Sequence, residues 1–449
     1  MHEGLSPLDD RYREKVEPLI DCFSESAYLK HRAYVEQLYL RALLEELGIK
    51  AELEEFLRPV GDGDVEIIKK IEKEGWQGIP PTRHDGKAVE YLLKLRLPEN
   101  LREYVHYGVT TDDISNLALG LMLKRGLHEH ILPRLEEVLG KLRELAFKYK
   151  HTVMLARTHG QYASPTTFGK EMLVFALRLY PEVQNLKQTP IQGKLSCAVG
   201  TYSALSCAHP EVNWVDFSKR FVTGLGLEWV VATTQILPPE GYVRIFNTLH
   251  RINSILLDLC KDMWRYISDE WVVLKVKKGE TGSSVMPHKV NPINFENAEG
   301  NLKIANSLLE LFARELPVSR LQRDLSDSTV KRNFGLALGH SYLAYGSLLR
   351  GLGGIEVNAA EMLRVVQQHP EVLAEANQTV LREHMQKPYE LFKDITRGTS
   401  VTLEQLHEVI RGLDVPEEVK QRLLVLKPED YVGEIDRIFE EAAKLLNQQ

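Results

Sequence analysis

Apolar positions recur at three- and four-residue steps through most of the middle of the chain. Between Thr111 and Lys150 they are Ile114, Leu117 and Leu121, then Leu127, Ile131, Leu135, Val138, Leu142, Leu145 and Tyr149. That is the period of one helix face, with Pro133 as the point where a kink is expected. The same spacing runs through Phe246, Leu249, Ile252, Leu256, Leu259, Met263 and Ile267, and again through Leu302, Ala305, Leu309, Phe312 and Leu316. From Phe334 to Gly354 almost every residue is apolar or small, which predicts a helix surrounded by other helices. Alternation at period two is nearly absent, and the best strand candidate is Trp271 to Val276. The pattern predicts an all-α fold around a central bundle of long helices.

Pro80-Pro81 interrupts a polar N-terminal region, and Gly351, Gly353 and Gly354 precede a more charged tail of shorter amphipathic pieces. Three mostly helical domains are therefore expected: an N-terminal domain over 1–108, the long-helix bundle over 109–352 and a C-terminal domain over 353–449. No fixed repeat or low-complexity tract changes this division.

Hydrophobic residues make up 43% of the 449 residues and charged residues 27%, an ordinary folded composition. The net charge of −7 supplies no global positive field for a phosphate backbone, which argues against general nucleic-acid binding. Cys22, Cys197, Cys207 and Cys260 form neither a CxxC pair nor a disulfide framework and are expected in the core. No run approaches the roughly 18 apolar residues of a membrane span, and the opening MHEGLSPLDDRYREKVEP has no hydrophobic signal core, so a cytoplasmic location is expected.

The phosphate-loop, dinucleotide-fingerprint and zincin motifs are all missing. Chemistry-bearing residues instead fall in four polar islands. In EYVHYGVTTDDISN, His106, Thr110, Thr111, Asp112 and Asn116 stand where a long helix begins. Hydroxyls and free N–H groups there suit an anion, although Thr111 or Asp112 acting only as a cap would explain the same residues. In ARTHGQYASPTTFGKEM, Thr158 and His159 precede a glycine and small hydroxyl residues. An imidazole so placed can transfer protons near neutrality, or can be a hydrogen-bonded structural group.

The third island, GETGSSVMPHKVNPINFENAEGN, sets Ser283 and Ser284 among Gly279, Gly282, Lys289, Asn291 and Glu296, just before a periodic helix. A plain polar loop does not account for Met286-Pro287-His288-Lys289 interleaved with polar donors. The fourth, SRLQRDLSDSTVKRN, concentrates Arg320, Arg323, Lys331 and Arg332 with Ser326, Ser328 and Thr329. Guanidinium forks and hydroxyls suit phosphate or carboxylate; a solvated charged face is the alternative.

The segment TGSSVMPHKVNPINFEN resembles the signature loop of the fumarase/aspartase superfamily. SPLDDRY (Ser6 to Tyr12), TRHDGKAVEY (Thr82 to Tyr91), THGQ (Thr158 to Gln161), TTQ (Thr233 to Gln235) and QRDLSDSTVKRN carry the resemblance over almost the whole chain, toward the adenylosuccinate lyase family. Carboxymuconate cycloisomerases share the loop and are the closest rival. A non-catalytic helical scaffold is the rival from another class, opposed by intact Ser283, His159 and Lys289.

The resemblance implies a homotetramer whose sites are assembled from several chains, with no cofactor and no metal. It implies release of fumarate from succinylated purine nucleotides and their precursors. Ser283 would remove the proton next to a succinyl carboxylate and His159 would protonate the departing nitrogen, with Lys289 and Asn291 stabilising the developing charge. Substrate binding would fall to Arg11, Tyr12, His84, Asp85, Thr110, Thr111, Thr158, Gln235, Ser284, Arg323, Ser328 and Arg332, supported by His106 and Glu296. Three positions depart from the family pattern: Thr111 where serine is usual, Gly86 where a larger residue is common, and Val285 in the signature.

Overall fold

The structure, a computed structural model, describes residues 4–276, 285–286 and 288–446. Its N-terminal helices are α1 (Arg13–Phe23), α2 (Glu25–Glu46), α3 (Glu54–Leu57), α4 (Asp62–Lys73) and α5 (Asp85–Leu95), followed by α6 (Thr111–Arg125) and α7 (Leu132–Lys148). A hairpin of β1 (Val153–Thr158) and β2 (Gln161–Thr167) leads into α8 (Phe168–Gln188), β3 (Gln192–Gly193), α9 (Ser203–Ala208), α10 (Trp214–Gly224), β4 (Glu228–Trp229) and the long α11 (Glu240–Ser268). Then come β5 (Val272–Leu274), α12 (Ile293–Glu315), α13 (Ser326–Lys331), α14 (Phe334–Gly353) and β6 (Ile355–Val357). Six shorter helices follow among the described residues: α15 (Ala359–Gln367), α16 (Ala374–Leu381), α17 (Pro388–Thr396), α18 (Leu403–Arg411), α19 (Glu417–Leu424) and α20 (Ile435–Leu446).

The fold is all-α, with strands confined to short pairs: β1–β2 and β5–β6 antiparallel, β3–β4 parallel. Every periodic run noted above is helical. The expected kink takes the form of a π-helical turn, Gly126–Ile131, immediately before α7. Pro133 has no N–H for Glu129 and its ring crowds that carbonyl, and a widened turn accommodates both effects. One expectation needs correction: Cys207 is exposed on α9, while the other three cysteines are buried. The THGQ island, to which the periodicity assigns no element, is a β-hairpin.

The chain divides into two compact units. The first comprises the segments up to Leu135, Glu182–Ser254 and Gly300–Gly346. Its N-terminal core packs Leu29, Leu40, Ile68, Ile71, Leu92 and Leu93 from α2, α4 and α5. A second core joins α11, α12 and α14 through Phe246, Phe312 and Phe334, whose ring centroids lie 4.7–5.1 Å apart. Buried Asn253 on α11 donates to Ser341 on α14 at 3.0 Å and accepts from Tyr345 at 2.5 Å, so both ends of its side-chain amide are paired.

The second unit comprises Glu136–Pro181, Ile255–Glu299 and the chain from Ser347 onward. Phe168 on α8 packs edge-on against Tyr149 and Tyr266, and the Tyr266 hydroxyl donates to Glu171 at 3.1 Å. Leu381, Phe392, Leu406, Ile410 and Leu423 form a separate apolar cluster of the C-terminal helices. Among the described residues no helix is long and apolar enough to cross a membrane.

Candidate active site

Most of the residues singled out above fall in the first unit, several of them at helix starts. His84 is the N-cap of α5, its Nδ1 accepting from the Lys87 amide at 3.1 Å. Thr110, rather than Thr111 or Asp112, is the N-cap of α6, and the Asp113 carboxylate reaches back to the Thr110 amide at 2.9 Å. The two helix starts touch. A Cβ added at Gly86 would lie 3.2 Å from the Thr111 methyl and 3.2 Å from His84 Cε1, so the glycine is what permits this approach.

Asp113 has no exposed side-chain area, and its two oxygens take four donors. Oδ1 accepts from Lys194 Nζ and the Ser196 amide, both at 2.8 Å, and Oδ2 accepts from the amides of Thr110 and of Cys197, the latter at 3.1 Å. Asn116, one turn on, exchanges hydrogen bonds with the Lys194 backbone. The segment 194–197 is thereby fixed to the start of α6. From it, Ser196 Oγ meets Thr233 Oγ1 at 2.7 Å, and Gln235 Nε2 donates to the Ala198 carbonyl at 3.0 Å. Arg323 Nη1 in turn donates to Gln235 Oε1 at 3.4 Å.

A second network starts at Asp85. Its carboxylate lies 2.8 Å from Arg32 and 2.5 Å from Arg332. Burial alone would raise this carboxyl, but Arg32 and then Arg332 outweigh it and hold it far below the usual carboxylate range. Arg32, Arg323, Lys331 and Arg332 line a small cavity of about 40 Å³ together with Asp112 and Ser328. Arg11 and Tyr12 lie just before α1, Arg11 exposed and 5.7 Å from the Tyr12 ring.

His106 is in the same unit, with φ at 60°, and both ring nitrogens face carboxylates. Nδ1 is 2.5 Å from Glu36 and Nε2 is 3.7 Å from Glu90. Burial would lower its pKa, yet the charge and hydrogen bond of Glu36, then Glu90, raise it above the ordinary histidine value. The two carboxylates favour the protonated form of His106.

The second unit carries the remaining residues in two places. Thr158 and Gln161 pair across the end of the β1–β2 hairpin, leaving His159 and Gly160 as its two-residue turn with φ of 52° and 76°. Positive φ at both positions is the turn that matches strand twist, and it puts the imidazole at an exposed tip. Arg157 braces the tip by donating to the Gly160 carbonyl at 3.0 Å while pairing with Asp269 at 3.2 Å. Lys289 and Asn291 lie on the approach to α12, Lys289 exposed, and Glu296 in its first turn accepts from Trp264 Nε1 at 3.2 Å. Ser283 and Ser284, with Gly279 and Gly282, lie outside the described residues. Among the described residues no group of three or more His, Cys, Asp or Glu is placed to hold a metal ion.

Arg32, Lys194, Glu36 and Glu90 were not singled out from the sequence, and each touches a residue that was; Ser115, also not singled out, touches Arg32. Asp113 had a readable signal, since Thr110-x-x-Asp113 is a capping-box spacing. The others are partners from distant segments.

A lyase family model matches residues 10–305, and a model of the adenylosuccinate lyase C-terminal region matches residues 319–432. The chain is 42% identical over 446 residues to adenylosuccinate lyase of Escherichia coli strain K12, covering 96% of each. It is also 42% identical to that of Haemophilus influenzae, again covering 96% of each. Among solved structures, a fumarate lyase from Mesorhizobium sp. BNC1 shares the fold with a TM-score of 0.75 at 20% identity, over the full length of both chains. A β-carboxy-cis,cis-muconate cycloisomerase from Acinetobacter calcoaceticus shares it with a TM-score of 0.72 at 18% identity, covering 96% of this chain and 98% of that one.

Proposed function

The chain is a lyase of the adenylosuccinate lyase family, and on that premise we propose that it releases fumarate from adenylosuccinate, leaving AMP, and from succinylaminoimidazole carboxamide ribotide, leaving the carboxamide ribotide. Both are steps of purine nucleotide biosynthesis, carried out here in the cytoplasm without metal or cofactor. The observation that carries the proposal is the pair of networks in the first unit. One runs from Thr110 through Asp113 and Ser196 to Thr233, and Gln235 links the same segment to Arg323; the other gathers His84-Asp85 and Arg332. Hydroxyls, an amide and guanidinium forks held in one unit suit a substrate that bears both phosphate and carboxylates.

In the reaction, Ser283 takes the proton from the carbon beside a succinyl carboxylate, and the electron pair moves onto that carboxylate. It returns to form the carbon–carbon double bond as the carbon–nitrogen bond breaks. His159, exposed at its hairpin tip, gives a proton to the departing nitrogen. Lys289 and Asn291 donate to the charge that develops, and Lys289 also steadies the serine alkoxide. Thr158, Ser284, Ser328, Arg11 and Tyr12 complete the binding set. His106 supports it from beside Glu36 and Glu90, and Glu296 supports the start of α12 through Trp264.

The active form is a homotetramer in which His159 and Ser283 of one site come from different chains, each chain organised as 1–108, 109–352 and 353–449. A substrate panel tests the assignment. Cleavage of adenylosuccinate and of the ribotide, with argininosuccinate left intact, is expected; turnover of carboxymuconate without either cleavage would contradict it.

A further inference from the structure

Two arginines meet one carboxylate at Asp85, and they are held differently. The Arg32 side chain is 6% exposed. Its Nε and Nη2 both donate to Ser115 Oγ, at 3.1 and 2.8 Å, its Nη1 faces Asp85 at 2.8 Å, and Tyr28 lies 4.4 Å from its Cζ. Arg332, at the end of α13, is 36% exposed. Its Nη2 shares the same Asp85 oxygen, while its Nη1 donates to both oxygens of Glu25 at 2.8 and 2.7 Å. Glu25 itself is 62% exposed.

We infer that Arg32 is a positioning residue that neutralises Asp85 whatever Arg332 does, and that Arg332 is an exchangeable arginine held by Glu25 and Asp85 until an anionic group of the ligand takes it. The inference deepens the proposed function, on which it rests for the ligand's identity alone.

Charge accounting makes the case for two arginines. Were Arg332 the only cation on Asp85, its transfer to a ligand would strand a mostly buried carboxylate, and that penalty would oppose binding. Arg32 removes the penalty because Ser115 holds its Nε and Nη2 in place and its Nη1 stays ion-paired with Asp85. Glu25 acts in the opposite sense, competing with the ligand for the same guanidinium. A phosphate, with about two negative charges and three acceptor oxygens, displaces an exposed carboxylate of one charge. Among the described residues His84 also faces Asp85, its Nδ1 3.9 Å from Oδ1.

The test uses variants with opposite expected signs, measured by calorimetric titration of the full chain with AMP and, separately, with inorganic phosphate. Glu25→Gln removes the competitor and is expected to tighten both by about two- to fivefold, the range set by an exposed ion pair. Arg32→Met leaves Asp85 dependent on Arg332 and is expected to weaken both by about tenfold, with the Michaelis constant rising and kcat held. Arg32→Lys, which keeps the charge and loses the fork, should fall between wild type and Arg32→Met. General damage to the fold would lower kcat and affinity together in every variant and would not produce a gain.

Inorganic phosphate reports on Arg332 whichever nucleotide is the substrate. A wild-type chain that binds phosphate and fails to cleave adenylosuccinate removes the substrate assignment and leaves the exchange testable. If Arg32→Met does not fold, Glu25→Gln decides. Unchanged or weaker binding in Glu25→Gln, wild-type affinity in a folded Arg32→Met, or a wild-type chain that binds neither probe would each overturn the inference.

Discussion

Asp113 and Lys194 are 81 residues apart in the chain and meet at 2.8 Å with no exposed side-chain area on either. The pair ties the start of α6 to the segment that leads toward Gln235, so it belongs both to the core and to the site. Removing Asp113 leaves the buried Lys194 ammonium with only the more distant Asp112 carboxylate, at 3.8 Å. Asp113→Ala is expected to cost about 3 to 5 kcal/mol, and replacing both with Asp113→Leu and Lys194→Met to cost less than the single change. Urea midpoints of the three chains measure this. A double variant less stable than Asp113→Ala would show that the charges themselves stabilise the fold.

That pair also marks the limit of what could be read before the structure. The helix containing Phe246 to Ile267 was legible because one face is apolar over its whole length, and α11 spans all of it. Thr110, Thr111, His159 and Arg323 were legible as polar residues crowded at breaks in that periodicity. The β1–β2 hairpin was not: VMLART and QYASPTT lack alternation, and His-Gly is a weaker turn cue than Asn-Gly. Arg32 and Lys194 were illegible for another reason. Their roles exist only through Asp85, Ser115 and Asp113, which other segments supply, and no local pattern carries that information.

His106 supplies a pH dependence with a definite sign. Its folded pKa is raised over the ordinary histidine value, so the folded state keeps its proton to higher pH than the unfolded state does. The stability it contributes is complete below about pH 6.5, the unfolded value, and is lost as pH rises through the folded one. Glu36→Gln removes the nearest carboxylate charge. The wild-type chain should lose more stability than Glu36→Gln between pH 6 and pH 9, and equal losses would show that the ion pair contributes nothing.

Gly86 and Thr111 should be coupled. A glycine in the first turn of α5, with no positive φ to require it, forgoes roughly 0.5 to 1 kcal/mol of helix stability relative to alanine. Gly86→Ala should not recover that gain, because the new Cβ meets the Thr111 methyl and the His84 ring. Adding Thr111→Ser should relieve half of the conflict. Thermal midpoints and Michaelis constants for both singles and the double form a cycle, and additive effects would mean that the two positions do not sense each other.

Ser283→Ala and His159→Ala should each lower turnover by at least about a hundredfold in chains that still fold, because each removes a proposed proton-transfer partner. On the proposal that the two residues are drawn from different subunits, refolding equal amounts of the two inactive variants together should restore activity at about one quarter of the sites. Verified mixed tetramers as inactive as their parents would place both residues on one chain or remove one of the assigned roles.

The most direct measurement is product formation by the purified chain. Proton NMR of adenylosuccinate incubated with it should show AMP and fumarate appearing together, in equal amounts and in step with loss of substrate. Adenylosuccinate that stays intact beside a folded, tetrameric chain, or AMP released without fumarate, would contradict the proposed elimination.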